Sequence, residues 1–353
     1  MTKYAENGAS SRLRTLQYIP WLEKAGAKVD VQSFFGRDYV DRLYAGQGKG
    51  LREAAGPYAR RLFALLRARR YDLIWIEKEL FPYLPGWMER AARLSGTPYI
   101  VDYDDAIFHN YDAHRSAFLR RILGRKLDAL LTGSAAVTAG NGYLMDYARR
   151  HGAARTEFLP TVIDLDKYPL HPAPQEEQEG ERIRIGWIGT PTTAKYLVQI
   201  LPQLEAVAAR HPVTLVTIGA PQMKVTAPLA IEQHIWREDE EAGRLSHIDI
   251  GIMPLPDEPF ERGKCGYKLI QYMACGRPVV ASPVGVNMDI VGEECGLLAS
   301  GGDAWLNALE RLCRDADLRC SMGAAGRAKV EAHYAVQVTA PRLIRLMAAV
   351  MAP

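Results

Sequence analysis

Short apolar segments alternate with amphipathic helical stretches along the chain, and the alternation occurs twice. In the first half, runs typical of buried strands lie at Val29–Phe35, Leu73–Ile76, Tyr99–Val101, Ala135–Ala139 and Glu157–Leu159. The second half repeats the scheme at Ile183–Ile188, Val213–Ile218, Ile248–Met253 and Val279–Ala281. Because strands separated by helices form parallel sheets covered on both faces, the pattern predicts an α/β fold with two Rossmann-like, doubly wound domains.

A proline-rich and then acidic segment, residues 169–181, separates the two halves and is typical of a linker. We predict an N-terminal domain over residues 1–170, a linker over 171–181 and a C-terminal domain over 182–335. The last segment, 336–353, has helical spacing and is expected to return to the N-terminal domain. In such folds the ligand lies at the carboxyl ends of the strands, so we expect it in a cleft between the domains.

The start of the chain fits this scheme less well. Only seven residues precede Gly8, which would follow the first strand, and the segment Met1–Tyr4 has a poor strand pattern. We therefore expect the first strand to be incomplete, or the start site to be assigned too late.

Composition excludes several classes of protein. A chain of 353 residues can bury two cores, and it has no apolar run of the roughly 18 residues that a membrane span needs. Its N-terminus also lacks the apolar core of a signal peptide, which favours a cytoplasmic protein. The five cysteines form no Cys-x-x-Cys pair, so the sequence indicates neither a disulfide framework nor a zinc site.

Basic residues are concentrated in the first half. Residues 1–150 contain 24 Lys and Arg against 16 Asp and Glu, whereas residues 151–353 contain 20 against 25. Clusters lie on helical segments at Arg60-Arg61, Arg67–Arg70, Arg120-Arg121 and Arg125-Lys126. They are either solvated helix faces or a surface for an anionic acceptor or for peripheral contact with the inner face of a membrane. No interleaving of aromatic and basic residues accompanies them, so we expect no nucleic-acid binding.

The segment Gly263–Ser282 is the strongest functional signal. Gly263 and Gly266 allow backbone N–H groups to approach an anion, and the helix that follows directs its positive dipole end there. Lys264 and Lys268 add two full charges. The P-loop pattern is absent, and the alternative is a loop whose lysines are merely solvated.

Four motifs together resemble those of glycosyltransferase family four, a branch of the GT-B enzymes. They are Gly8–Arg14 (GASSRLR), Ile185–Thr193 (IGWIGTPTT), Asp249–Leu255 (DIGIMPL) and Gly263–Ser282, the last continuing to Gly285. The resemblance spans most of the chain. It implies retaining transfer of a sugar from a nucleotide-diphosphate donor to a lipid-linked, glycan or small-molecule acceptor, with no metal or other cofactor. Synthesis of cell-surface polysaccharide or glycoconjugate is the implied setting.

The chain departs from the family pattern at its acidic residues. Gly263 and Gln271 stand where the family has two glutamates eight positions apart. We expect Gln271 to bind donor hydroxyls and Glu261 to supply the missing carboxylate. Thr190 replaces a common arginine, so Lys264 and Lys268 become the expected partners of the diphosphate, stabilising its charge as it leaves.

Further site residues follow from the same resemblance. Asp104 or Asp105 is expected to orient the acceptor hydroxyl, and His109 to lie near the donor sugar unless it is a surface loop residue. Asp102-Tyr-Asp104 also matches a metal-binding pattern of the other large glycosyltransferase fold, but two Rossmann-like halves argue against that interpretation. The remaining expected donor contacts are Gly8, Gly189, Thr190, Thr193, Trp236, Arg237, Gly266 and Tyr267, and the expected acceptor contacts are Ser11, Arg12 and Arg14.

Three other functions are alternatives to sugar transfer. A non-catalytic nucleotide-sugar-binding protein would explain the altered glutamate pair. A GT-B-like sugar-nucleotide epimerase would need acid and base carboxylates near the lysines, which the sequence lacks. A dinucleotide-dependent oxidoreductase would need Gly-x-Gly-x-x-Gly after a strand, and the spacing of Gly186 and Gly189 fails that pattern.

Overall fold

The computed structural model describes residues 1–44, 55–170 and 182–352, and this part of the chain forms two compact units. The first unit comprises residues 1–162, the short segment Arg262–Cys265 and the C-terminal segment from Val336. The second unit comprises Ile163–Glu261 and Gly266–Ala335. The linker expected at 171–181 lies outside the described residues.

The first unit contains two parallel sheets, a two-stranded one of order β1-β2 and a four-stranded one of order β3-β4-β5-β6. Their strands are β1 (Thr2–Tyr4), β2 (Ser33–Phe35), β3 (Ile74–Glu77), β4 (Tyr99–Tyr103), β5 (Ala136–Ala139) and β6 (Thr156–Phe158). Its helices in the order of the chain are α1 (Ala9–Arg14), α2 (Ile19–Lys24), α3 (Arg37–Tyr44), α4 (Ala55–Leu66), α5 (Ala91–Leu94), α6 (His109–Asp112), α7 (Ala117–Leu123), α8 (Asp128–Thr132) and α9 (Gly142–Arg150).

A first strand is present although its sequence pattern is poor. β1 pairs in parallel with β2 through Thr2 opposite Ser33 and Tyr4 opposite Phe35. Its polar residue Lys3 is tolerated in a buried position because its Nζ pairs with the Glu79 carboxylate at 2.9 Å. The ion pair therefore allows a strand to form here without the apolar pattern by which strands are normally recognised in a sequence.

The second unit is built on one parallel sheet of order β12-β11-β10-β7-β8-β9. Its strands are β7 (Ile183–Ile188), β8 (Val213–Ile218), β9 (Ala230–His234), β10 (Ile250–Met253), β11 (Val279–Ala281) and β12 (Gly296–Leu298). The helices that follow β7 are α10 (Ala194–Val198), α11 (Leu201–Ala208), α12 (Glu241–Ser246), α13 (Pro259–Arg262), α14 (Tyr267–Ala274), α15 (Asn287–Val291), α16 (Gly302–Arg314) and α17 (Ala316–His333). The bounds of β7, β8 and β11 are those the sequence predicted, whereas the edge strands β9 and β12 were not predicted.

The last helix, α18 (Val336–Met351), packs within the first unit and runs through Pro341. Val336, Ala340 and Leu343 are buried in one cluster with Tyr18 of the segment after α1. The Tyr18 hydroxyl also lies 2.8 Å from the Thr339 hydroxyl, which fixes the helix in register. None of the helices in the described ranges has both the length and the apolar character that crossing a bilayer requires.

Candidate functional site

In the first unit, polar side chains meet where β1, β3 and β4 end. Asp104 follows β4, and its Oδ2 accepts a hydrogen bond of 2.5 Å from the Ser10 hydroxyl of α1. The Lys78 ammonium, just after β3, lies 2.8 Å from Asp104 Oδ1 and donates to Ser10 Oγ at 2.8 Å. Lys78 is buried and has a φ of +65°, which is costly for a residue with a side chain. We call Ser10, Lys78 and Asp104 the Asp104 cluster.

Asp104 and the next residue, Asp105, differ in burial and in their ionic partners. Burial opposes ionisation of Asp104, but the Lys78 and Arg14 charges outweigh it and hold the pKa of that carboxyl below its ordinary value. Asp104 is thus ionised and already paired. Asp105 is 29% exposed and its carboxylate lies 3.6 Å from the Lys264 ammonium. Of the two residues predicted to orient an acceptor hydroxyl, the geometry favours Asp105.

The short segment Arg262–Cys265 is held by this end of the first unit. The Asn141 amide donates to the Lys264 carbonyl oxygen at 2.9 Å, and Cys265 Sγ lies 3.0 Å from the Asp104 carbonyl oxygen. A Cβ added to Gly263 would lie 2.4 Å from the Ala106 Cβ. Gly263 therefore leaves no room for the glutamate that the family pattern has at this position.

Two of the three residues predicted to bind the acceptor are buried and bonded within the first unit. The Ser11 hydroxyl donates to Glu77 Oε2 at 2.5 Å and accepts from the Tyr4 N–H at 3.0 Å. The Arg14 guanidinium pairs with Asp102, with Nη2 to Oδ1 at 2.6 Å and Nε to Oδ2 at 2.9 Å. These polar atoms hold α1 against the sheet, so an acceptor contact remains a prediction best suited to the half-buried Arg12.

His109 is bonded through both ring nitrogens. Its Nδ1 lies 2.8 Å from the Asp112 carboxylate and its Nε2 2.7 Å from the Tyr143 hydroxyl. The ring is thereby fixed in orientation at the start of α6. Its predicted place near the donor sugar stays a prediction.

A buried network of charges lies beside the Asp104 cluster, and no sequence motif predicted it. Glu79 pairs with Lys3 at 2.9 Å and with Lys126 at 3.0 Å, and Lys126 also pairs with Glu89 at 3.0 Å. Burial opposes ionisation of Glu79, yet the two ammonium groups lower its pKa from 4.5 to about 2. The network therefore stabilises the first unit only while Glu79 is ionised.

Replacing Glu79 with glutamine is expected to destabilise the first unit in a pH-dependent way. Because the folded-state pKa lies below the unfolded value, the carboxylate stabilises the fold above pH 4.5, and this contribution is lost as the pH falls toward 2. At neutral pH the lost contribution is about 3 kcal/mol. Urea unfolding of both proteins at neutral pH and at successively lower pH measures it. A stability difference that does not shrink on acidification would contradict the assignment.

In the second unit, the helix that carries Lys268 begins at a glycine whose backbone conformation disfavours residues with a side chain. Gly266 precedes α14 with a φ of +64°, and an added Cβ would lie 2.3 Å from Ile290 Cδ1. The eight residues of α14, of which Tyr267 is the first, then direct the positive end of the helix dipole toward this turn. An anionic group is favoured at such a place.

Lys268 lies at the carboxyl end of β7. Its ammonium stands 5.4 Å from the centroid of the buried Trp187 ring, a cation–π distance. A Cβ on Gly189 would lie 2.4 Å from the same ring, so the backbone after β7 passes directly beside it. The Thr193 hydroxyl closes the following turn by bonding the N–H and the carbonyl of Thr190, each at 3.0 Å. Lys268 and the backbone at Gly189 thus lie against the same ring.

A hydrogen-bonded chain links the predicted contacts Gln271 and Trp236. The Gln271 amide donates to the Tyr168 hydroxyl at 3.2 Å, the Tyr168 hydroxyl donates to Glu241 Oε1, and Trp236 Nε1 donates to Glu241 Oε2 at 2.5 Å. Gln271 is buried, and its contact with a donor hydroxyl stays a prediction. Arg237 is exposed and lies 3.8 Å from Glu240. Tyr168 and Glu241 were not predicted as site residues because neither lies in a recognisable motif.

Glu261 has one carboxylate oxygen available. The Tyr196 hydroxyl donates to its Oε1, whereas Oε2 is buried and has no hydrogen-bond partner among the described residues. An unsatisfied buried acceptor costs about 1–3 kcal/mol, so a ligand hydroxyl that donated to it would be favoured. This geometry supports the prediction that Glu261 supplies a carboxylate. Within the described ranges, no three His, Cys, Asp or Glu side chains group closely enough to hold a metal ion.

Two family models match the chain. One, described as glycosyl transferase 4-like domain, covers residues 4–161, and the other, glycosyl transferases group 1, covers residues 182–315. A GDP-mannose-dependent monoacylated alpha-(1-6)-phosphatidylinositol monomannoside mannosyltransferase of Corynebacterium glutamicum is 26% identical over 54% of the chain. The match covers 55% of that relative, little more than half its length.

Solved structures share the fold at low sequence identity. WaaG, a glycosyltransferase involved in lipopolysaccharide biosynthesis, matches with a TM-score of 0.69 and 14% identity over 98% of each chain. An Anabaena protein solved in complex with UDP matches with a TM-score of 0.65 and 16% identity, over 94% of this chain and 89% of its own. These likenesses confirm the predicted fold class, that of the GT-B enzymes.

Proposed function

Since the chain belongs to glycosyltransferase family four, we propose that it transfers a sugar from a nucleotide-diphosphate sugar to a hydroxyl group of its acceptor. The observation that carries the proposal is the turn before α14. There Gly266, the helix dipole and the Lys268 ammonium offer a site for a diphosphate, at the carboxyl end of the sheet. The Anabaena structure with UDP supports a nucleotide donor.

In the proposed reaction, the bond between the anomeric carbon and the β-phosphate oxygen breaks. A bond to the acceptor oxygen forms on the same face of the sugar, and the acceptor proton passes to the departing phosphate oxygen. Lys268, with Lys264, stabilises the charge of the leaving diphosphate. Glu261 Oε2 accepts from a sugar hydroxyl, and Asp105 orients the acceptor. No step uses a metal ion, and the configuration at the anomeric carbon is retained.

The acceptor we propose is a lipid-linked or glycan hydroxyl. The Corynebacterium relative is described as acting on a phosphatidylinositol mannoside, which supports a lipid-linked acceptor, as does the basic character of residues 1–150. The main alternative, a non-catalytic nucleotide-sugar-binding protein, would bind the donor and release no product, so turnover distinguishes it from a transferase.

Mass spectrometry of the reaction products tests the proposal. The purified protein is incubated with UDP-, GDP-, ADP- or dTDP-sugars and a membrane lipid extract as acceptor. The expected result is a glycosylated product and free nucleoside diphosphate with one class of donor. Donor binding without product under all conditions would favour the non-catalytic alternative, and epimerised sugar nucleotide would favour the epimerase.

A further inference from the structure

The segment that follows β3 in the first unit has a strained backbone at both of its ends. Lys78 and Tyr83 have φ values of +65° and +63°, and in the part of the chain that the structure describes they are the only residues other than glycine with a positive φ. Such strain persists only where the surrounding structure fixes it, and it is concentrated at sites that bind ligands. Lys78 belongs to the Asp104 cluster, whereas Tyr83 has no part in the proposed reaction.

The buried network of charges fixes the middle of this segment. The Glu89 carboxylate accepts from the N–H groups of Leu80 and Phe81 at 2.9 and 3.1 Å. The Lys126 ammonium donates to the Phe81 carbonyl oxygen at 2.6 Å. Leu80 and Phe81 are themselves completely buried, so the segment is anchored in the interior by side chains and backbone together.

The same network fixes the backbone of Tyr83. Its N–H donates to the Tyr111 hydroxyl at 3.2 Å, and that hydroxyl donates to Glu79 Oε2 at 2.7 Å. The Tyr111 side chain is buried, whereas Tyr83 is 52% exposed. Buried charges therefore hold an aromatic side chain in solvent on a backbone of fixed conformation.

A second exposed aromatic ring follows on the same stretch of chain. Trp87 lies in the 3₁₀ helix Gly86–Arg90 and is 65% exposed. A Cβ added to Gly86 would lie 2.8 Å from the Lys126 Cα, so this turn also packs tightly on the unit. Trp87 is four residues after Tyr83, which limits the distance between their Cα atoms to about 14 Å. We call Tyr83 and Trp87 the aromatic pair.

The chemistry of the aromatic pair suits a neutral sugar ring. The face of a pyranose presents C–H groups of slightly positive charge, which the electron-rich face of a tyrosine or tryptophan ring attracts. Tyrosine and tryptophan side chains have two χ angles each, so little conformational entropy is lost when they bind. Residues 80–88 contain no charged side chain, so they offer nothing to a phosphate or a carboxylate.

We propose that Tyr83 and Trp87 form a subsite that binds sugar rings of a neutral glycan acceptor by stacking. The segment begins at the carboxyl end of β3, the edge of the sheet at which Asp105 follows β4. The proposal rests on the proposed function and narrows the acceptor to a glycan or glycolipid with sugar rings beyond the one that carries the reacting hydroxyl. It also gives the strain at Tyr83 and the buried network a common purpose.

Titration of the purified full-length protein with neutral oligosaccharides tests the proposal, with binding followed by saturation-transfer difference NMR. The probes are tetrasaccharides of glucose, galactose and mannose and the three monosaccharides, which present different C–H faces. At least one tetrasaccharide is expected to bind more tightly than its monosaccharide. Trp87→Ala should weaken that binding at least about tenfold, as truncation of an aromatic contact residue commonly does.

Tyr83→Gly separates the loss of the ring from a loss of fold. Glycine adopts a positive φ without strain, and the strain relieved offsets the flexibility that glycine adds to the unfolded chain. The melting temperature of this variant should therefore stay near or above that of wild type, while its affinity for the tetrasaccharide falls about tenfold. Phe118 on α7 is 70% exposed, so Phe118→Ser removes another exposed ring of the first unit and should leave binding unchanged.

Thermal stabilisation by nucleoside diphosphates is measured on the same proteins and should be equal in wild type and in the variants of the aromatic pair. Tetrasaccharide binding that is unchanged in both Trp87→Ala and Tyr83→Gly would overturn the proposal. So would a wild-type protein that binds a nucleoside diphosphate but none of the tetrasaccharides. A wild-type protein that binds no nucleoside diphosphate would instead count against the proposed function.

Discussion

Replacing Lys268 with alanine is expected to lower the turnover number of sugar transfer about 100-fold, the usual cost of removing one oriented group that stabilises developing charge. The ammonium is held 5.4 Å from the Trp187 ring centroid, in the first turn of α14. Because the ring contact orients the ammonium, we expect its charge to act on the leaving diphosphate with little reorganisation. Initial rates at saturating donor and acceptor measure the effect.

Three matched variants sharpen this test. Lys268→Arg keeps the charge and should recover much of the lost rate. Lys264→Ala should lower turnover at least tenfold if that residue also meets the diphosphate. Lys167→Ala removes a lysine that is 62% exposed and paired with Glu238 at the surface of the second unit, and it should leave the rate unchanged. Wild-type turnover in both Lys264→Ala and Lys268→Ala would refute the assignment.

Removing either member of the Arg14–Asp102 pair is expected to destabilise the first unit by about 3–5 kcal/mol, because an unpaired charge is left in the interior. Both side chains are at most 1% exposed. Asp102 also accepts from the Thr138 hydroxyl at 2.5 Å, and Arg14 donates to the Leu159 carbonyl oxygen at 2.7 Å. Urea unfolding of Arg14→Met and Asp102→Asn measures the loss.

A double-mutant cycle separates pairing from packing. The Arg14→Met/Asp102→Asn protein should be less destabilised than the sum of the single variants, since neither charge is then left alone. Arg155→Ala breaks the exposed pair with Glu157, whose side chains are 44% and 45% exposed, and should cost at most about 1 kcal/mol. Strict additivity of the two buried substitutions would show that the charges do not stabilise each other.

The architecture was largely predictable because its central strands are continuous apolar runs. Ile183–Ile188 and Val213–Ile218 are paired on both sides by neighbours, and burial on both faces demands apolar residues at every position. β9 lies at an edge, and its sequence Ala-Ile-Glu-Gln-His carries no such run. β12, also at an edge, has only three residues. An edge strand has a neighbouring strand on one side only, so its sequence is less restricted to apolar residues and is harder to recognise as a strand.

The candidate site was predictable only where glycine and lysine form a motif. Gly266 and Lys268 are recognisable because a helix start with a positive φ and a nearby charge requires those residue types. Lys78 gave no signal, since a lone lysine after a strand looks like any solvated residue. The burial of Ser11 and Arg14 depends on partners more than 60 residues away along the chain, Glu77 and Asp102. Such pairings come from tertiary structure, which a local pattern does not contain.

Thermal stabilisation of the purified protein by UDP, GDP, ADP, dTDP and NAD shows directly whether it has a nucleoside diphosphate site at Lys268. A ligand at 100 times its dissociation constant adds about 2.7 kcal/mol to the stability of the state that binds it, enough to move the melting temperature by several degrees. We expect a shift with one nucleoside diphosphate that is lost in Lys268→Ala, and no shift with NAD. A shift with NAD alone, or no shift with any of the five, would contradict it.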